Sequence, residues 1–403
     1  MKSTFLSMSL LPMGIMAAAN KINNLVVFGD SYSDVGNFQR WTNGPVWSED
    51  VAAGWDASLH SFAYSGAVCD NSLYNHNISA YYITPSIADQ VEHFYNQHLT
   101  IDPSDTVFSF WVGVNDIHQA FKEYTETTTP TSAIKSISDC IMNQIKTAHK
   151  ILKANQIMLF NIPPMELMPY FRDTVMAESR KEAVHQLNTL LQQQVNELNK
   201  QYPTLKLDLV DVHKLISDMT SQPDKFGIRN VNEAYWDDCH EGKCGDKGMD
   251  EYIWWDRTHL TGGVHHTIGN SILQTGSYAP STSINKVKVE KALMAQDSDI
   301  RSPIYRAQPN SGLMQLLMDD IDGLSHHQHT NNNIDINNIN NMELPYVDDN
   351  MVEKNDDSYI RQWFPVTFVV VLILLAAIIV LWIKNRRNKY TAEHQLLKDD
   401  FDP

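Results

Sequence analysis

Two stretches of this sequence hold residue types that, brought side by side, would turn a serine into a nucleophile. Near the start, "NLVVFGDSYSDVGN" (Asn24 to Asn37) runs four apolar residues, Leu25 to Phe28, into Gly29, Asp30 and Ser31. Far downstream, "WWDRTHLTGG" sets Asp256 three residues before His259. A carboxylate and an imidazole so close in sequence can hydrogen-bond, and the carboxylate then fixes the tautomer and stabilises the imidazolium. A serine hydroxyl at the other ring nitrogen becomes a nucleophile. Ser33 is the competing serine, but Ser31 stands directly at the strand end. Asp30 is read as a brace for loop N–H groups, and Asp34 as solvent-facing or capping. Between the two stretches, "GVND" (Gly113 to Asp116) ends another apolar run.

The elements that must position these groups are legible in the hydrophobic period. Strands are predicted at Leu25–Phe28, Thr106–Val112, Gln156–Ile162 and Leu205–Val210. Helices are predicted over Ala133–Ala154 and Val175–Lys200. In the second, Ala183, Val184, Leu187, Leu190, Leu191, Val195 and Leu198 share one face, and Pro203 follows its end. Thr261 is a candidate cap for a helix beginning in "GGVHHTIGNSIL". Strands alternating with helices pair in parallel through right-handed crossovers. The prediction is a three-layer α/β/α domain with a mostly parallel sheet and a site at the carboxyl ends of its strands, where Ser31 falls.

The chain has 403 residues and a net charge of −17, which argues against a nucleic-acid partner. Residues 1–19 read as a secretory signal: Lys2, an apolar run from Phe5 to Met16, then Ala17 to Ala19. From Val366 to Ile383 there are eighteen residues without charge, roughly 27 Å as a helix and close to the hydrocarbon thickness. Trp363 and Trp382 flank this run, and Lys384, Arg386, Arg387 and Lys389 follow it. The expectation is a single transmembrane helix over 363–383 with a short cytosolic tail, 384–403. The expected order is signal (1–19), globular body (20–280), disordered Asn- and acid-rich stalk (281–362), span and tail. That makes a type I membrane protein with its body extracellular or lumenal. Four cysteines suit an oxidising compartment. Cys239 and Cys244 are expected to close a short disulfide loop in preference to a metal site, and Cys69 with Cys140 is an open second pairing. "NIS" makes Asn77 a glycosylation acceptor.

"VVFGDSYSDVGN", "TNGPVWSEDVA" (Thr42 to Ala52), "SFAYSGAVCD" (Ser61 to Asp70), "WVGVNDI" (Trp111 to Ile117) and "WWDRTHLT" (Trp254 to Thr261) together resemble the motif blocks of the GDSL, or SGNH, hydrolases. The likeness covers nearly all of 20–280. It implies a flavodoxin-like α/β/α domain with Ser31 as nucleophile, His259 as base and Asp256 as its partner. It also implies an oxyanion hole made of the Ser31 N–H, the Gly66 N–H and the Asn115 side chain. Tyr32 replaces the Leu of the family name, and Ser65 stands where many members carry a second Gly. The pattern is most similar to the secreted fungal carbohydrate-esterase (acetylesterase) branch. That implies a serine esterase for short-chain esters, acetyl groups on carbohydrates, with no cofactor and no metal. The alternatives are a lipase or phospholipase for longer acyl esters, and a non-catalytic surface binder on the same fold. Trp41 and Trp47, on loops after Ser31, are candidates to stack on sugar rings.

Overall fold

The computed structural model describes residues 21–74, 84–123, 128–245 and 247–330. The expected signal, Asn77, the transmembrane span and the tail lie outside them. The body is built on a five-stranded sheet whose paired strands are all parallel. The strands are β1 (Asn24–Gly29), β2 (Ser58–Ser61), β3 (Thr106–Trp111), β4 (Gln156–Phe160) and β5 (Lys206–Val210), in the order β2-β1-β3-β4-β5. The central strands read as unbroken apolar runs because both faces are covered, and every residue of β3 is buried.

The strand order reverses between β1 and β3. Right-handed crossovers therefore put α1 (Trp47–Trp55) on one face. They put α2 (Ile87–Asn96), α3 (Val114–Glu123), α4 (Thr131–Ile151) and α5 (Ala177–Gln201) on the other. Packing agrees: α4 contacts α2, α3 and α5. After β5 come α6 (Val212–Ser221), β6 (Asn230–Ala234), α7 (Tyr235–His240) and β7 (Tyr252–Trp254), with β6 and β7 in a separate two-stranded parallel sheet. Then α8 (Gly262–Thr275) packs on α1. Thr261 caps α8, its side chain accepting the Val264 N–H at 3.4 Å.

The body does not stop at Pro280, and the stalk expected to begin at 281 does not begin there. The chain continues through α9 (Lys286–Met294) and a strap over 295–312 into α10 (Leu313–Thr330). Val289, Ile300, Tyr305 and Met314 are buried. The strap runs along the edge strand β2. The Leu59 N–H donates to Asp299 O at 2.9 Å, and the Ser61 N–H donates to Ser302 Oγ at 2.8 Å. The Tyr305 ring stacks on Phe62 at 3.9 Å. Further along, Glu92 accepts the Ser311 N–H and hydroxyl and the Leu313 N–H at 2.6–3.0 Å. Burial would raise the Glu92 carboxyl, but these bonds outweigh it and hold its pKa below the ordinary value. The strap escapes a periodicity search because it is held by isolated anchors and main-chain bonds, with no repeating apolar face.

Cys69–Cys140 and Cys239–Cys244 are both disulfides. The first ties the loop after β2 to α4. The second closes the "CHEGKC" loop, so neither of its sulfurs is a thiolate free to bind a metal.

Candidate active site

β1 ends at a sharp turn. The side-chain amide of Gln90 on α2 takes both backbone groups of Gly29: Oε1 accepts its N–H and Nε2 donates to its carbonyl, each at 2.9 Å. The chain then makes one helical turn, with the Ser33 and Asp34 N–H groups both donating to Asp30 O at 3.0 Å. Asp30 Oδ1 takes the Tyr32 N–H at 2.9 Å, the loop brace expected of it. Ser31 is left in this turn, half-buried.

The partner loop comes from β7. An isolated antiparallel bridge between Trp254 and Leu260 pinches the chain, so Asp256 to His259 form a tight loop between them. Asp256 Oδ1 accepts the N–H groups of Thr258 and His259 at 2.9 and 2.8 Å. The same carboxylate meets His259 Nδ1 at 2.8–2.9 Å. A carboxylate can only accept there, so Nδ1 carries the proton and Nε2 is the acceptor. Ser31 Oγ lies 2.9 Å from Nε2. Burial alone would raise the Asp256 carboxyl. The facing His259 and the two loop N–H groups overcome that and hold its pKa below the ordinary value.

Ser31, Asp256 and His259 are thus one hydrogen-bonded row, across 228 residues of sequence between serine and imidazole. Ser33 is not in it. Its side chain is fully buried, and its Oγ accepts the Trp47 indole N–H at 3.1 Å. Trp47 is likewise a core residue and unavailable to a ligand.

The three groups named for the oxyanion hole sit at the ends of neighbouring strands. Among the described residues, neither the Ser31 N–H nor the Gly66 N–H has an acceptor. Gly66 holds φ +86°, a conformation that side chains disfavour. Asn115 lies in the first turn of α3, and its amide donates one hydrogen to Ala67 O at 3.0 Å, which leaves the other free. The turn into α3 depends on Gly113, at φ +130°, where a Cβ would come within 2.5 Å of Ile162 Cδ1. Ser65 does not disturb Gly66: its N–H and hydroxyl bond Asp34 Oδ2 at 2.8 and 2.7 Å.

Asp34 is neither solvent-facing nor a helix cap. It is fully buried and gathers the N–H groups of Gly36, Asn37 and Ser65 at 2.8 Å, with weaker bonds from Phe38 and Gln39. One carboxylate therefore fastens the loop after Ser31 to the loop carrying Gly66. Asn37 extends this hub, donating to Ser61 O and Ala63 O and accepting the Tyr305 N–H of the strap. Most of these partners are backbone groups of irregular loops, which leave no pattern in a sequence.

Trp41 stacks on the His259 ring, centroids 5.0 Å apart and planes 16° from parallel. The sequence marked Trp41 as a loop aromatic for a ligand; its neighbour is the imidazole. The Tyr32 hydroxyl donates to Thr258 O at 2.6 Å, so the residue in the family's Leu position clamps the imidazole loop.

Asp30 and Asp116, each next to an oxyanion residue, are fully buried, and one oxygen of each has no partner among the described residues. Burial pushes Asp30 up to about 7 and Asp116 up to about 6. Between the ordinary carboxyl value and about 7, the unfolded chain releases the Asp30 proton while the folded chain keeps it. Stability therefore falls as pH rises through that window. Asp30→Asn keeps the acceptor for Tyr32 and removes the titration. The melting temperature of the variant minus that of wild type is expected to increase from pH 4.5 to pH 8. His265, buried and pushed down to about 3, acts in the opposite direction at low pH but is common to both proteins. A difference that stays flat across this range would show that Asp30 does not bind the proton.

Residues 25–272 match the family model described as GDSL-like Lipase/Acylhydrolase. The chain is 22% identical over 291 residues to a thermolabile hemolysin of Vibrio parahaemolyticus, covering 64% of this chain and 65% of the hemolysin. It is 24% identical over 314 residues to an acetylesterase of Hypocrea jecorina, covering 63% of this chain and 88% of that protein. A solved acetyl xylan esterase aligns with a TM-score of 0.36 at 15% identity, over 62% of this chain and 97% of its own. The family match takes in β1 through most of α8, and with them every residue of the Ser31–His259–Asp256 row; the chain belongs to the GDSL-like lipase/acylhydrolase family.

Proposed function

We propose that this protein is a serine ester hydrolase that works through an acyl-enzyme. The observation that carries the reading is the row Ser31 Oγ–His259 Nε2, His259 Nδ1–Asp256, with contacts of 2.8–2.9 Å. Ser31 Oγ attacks the ester carbonyl as its proton passes to His259 Nε2. The tetrahedral oxygen is met by the Ser31 and Gly66 N–H groups and the free Asn115 hydrogen. His259 returns the proton to the departing alcohol, and water, activated by the same imidazole, clears the acyl-enzyme. Asp256 stays ionised throughout and stabilises the imidazolium. None of these steps needs a cofactor.

The substrate class proposed is short-chain esters, acetyl groups on carbohydrates. Its support is the similarity to the Hypocrea jecorina acetylesterase over 88% of that protein. A series of p-nitrophenyl esters tests it. Activity confined to C2–C4 chains is expected; activity climbing towards C12 would replace it with the lipase reading.

We also place the body in the lumen or outside the cell, as a type I protein entering the secretory pathway and held by 363–383. The two disulfides support an oxidising compartment. Protease treatment of sealed microsomes is expected to spare the body and trim only the tail. A digested body would refute this topology.

A further inference from the structure

A large indole held half in water asks for an explanation, because aromatic side chains of that size are normally covered. Trp236 on α7 is 50% exposed. It does not stand alone. Its ring meets Trp255 edge-on at 5.7 Å, and Tyr235 stacks on Trp255 at 5.6 Å, 14° from parallel. Tyr235 rests in turn on the buried Tyr252. The cluster is therefore a rigid shelf, buried at one end and open at the other.

The shelf is fastened to the catalytic loop. The Trp236 N–H donates to Trp255 O at 3.0 Å, and the Trp255 N–H donates to His259 O at 2.8 Å. Trp255 is the residue before Asp256. The Cys239–Cys244 bridge ties the last turn of α7 to the loop that follows it. Asp237 follows Trp236 in the chain and Arg257 lies two residues after Trp255; the two make an exposed ion pair at 2.8 Å, which supplies planar polar groups on the same segments as the rings.

That combination suits one kind of ligand. A pyranose ring offers an apolar C–H face to an indole and hydroxyls to carboxylate and guanidinium groups around it. A bilayer carrying anionic lipid suits it less well, since the segment 230–257 holds eight acids against three basic residues. We propose that Tyr235, Trp236 and Trp255 form a binding subsite for a neutral glycan chain, seating sugar units beside the one whose ester reaches Ser31. The proposal rests on the carbohydrate-ester reading above and extends it from a single sugar to a chain.

Trp236→Ala is the variant of choice, because a half-exposed side chain can be removed without opening the core. On partially acetylated xylohexaose, kcat/KM is expected to fall about tenfold through KM, with partial recovery in Trp236→Tyr and no change on p-nitrophenyl acetate. Binding is read separately in the Ser31→Ala background by titrating tryptophan fluorescence with unmodified xylohexaose. The titration is expected to saturate, and to vanish when Trp236→Ala is added. The subsite is overturned if both substrates lose activity equally, if neither does, or if no titration is seen. It is also overturned if Trp236 governs binding to phosphatidylcholine–phosphatidylserine vesicles while xylohexaose is ignored. A wild-type protein that hydrolyses p-nitrophenyl acetate but neither binds nor deacetylates the hexasaccharide sinks the subsite and leaves the esterase standing. Titration with xylohexaose in a protein that hydrolyses no ester does the reverse.

Discussion

Ser31→Ala is expected to lower kcat on p-nitrophenyl acetate by roughly 10⁴–10⁶-fold and to abolish labelling by a fluorophosphonate probe. The loss is this large because, among the described residues, Ser31 is the one whose hydroxyl reaches His259 Nε2. Ser33 is the natural control. Ser33→Ala removes the acceptor for the Trp47 indole, which costs about 1 kcal/mol of stability, but it should leave labelling intact and kcat within a few fold. Asp256→Asn should lie between them, near 10⁴-fold below wild type, because an amide at Nδ1 no longer fixes the productive tautomer. Equal labelling of wild type and Ser31→Ala, or loss of labelling in Ser33→Ala with its melting curve unchanged, would remove Ser31 from its role.

The second large effect concerns folding. A chain ending at residue 280 is expected to yield no cooperatively folded protein, while one ending at residue 330 should melt cooperatively. The shorter chain uncovers the partners of Val289, Ile300, Tyr305 and Met314, all buried in the longer one. At about 1.5–3 kcal/mol for each side chain, that forfeits roughly 6–12 kcal/mol as an upper estimate. A domain of this kind has only about 5–15 kcal/mol in total. Glu92 and Asn37 would lose their strap donors as well. Near-ultraviolet circular dichroism and thermal melts of the two chains decide the matter. A melting temperature for the shorter chain within a few degrees of the longer would show that the strap is dispensable.

The same strap marks where reading the sequence failed. The strands of the main sheet predicted from apolar runs fall within two residues of β1, β3, β4 and β5, because strands covered on both faces leave a strong local signal. β2 is four residues of mixed polarity, "SLHS", and left none. β7 is shorter still at three residues, and β6, though five long, is mostly polar and buries only Ala234. The site divides along the same line. Ser31, Asp256 and His259 are legible because their chemistry requires those side chains at strand ends and loop tips, and Asn115 is legible through the likeness to the family's motif blocks. Asp34 and Gln90 are not, because what they satisfy is loop backbone, whose orphan N–H and C=O groups are invisible until the fold is known. Trp41 is legible as an aromatic on the loop after Ser31, but only the folded arrangement puts it on the imidazole.

The spacing between serine and imidazole carries a consequence for biosynthesis. Ser31 and His259 are 228 residues apart, so at about 5–20 residues per second the ribosome takes roughly 10–45 s to add the base after the nucleophile. The strap that covers the first-made edge of the sheet comes later still. Throughout that interval the nascent chain carries an inert alcohol, and reactivity toward esters arises only when the loop carrying His259 docks against the turn carrying Ser31. An arrested chain ending anywhere before His259 should therefore be silent to fluorophosphonate, however much of its sheet has already formed.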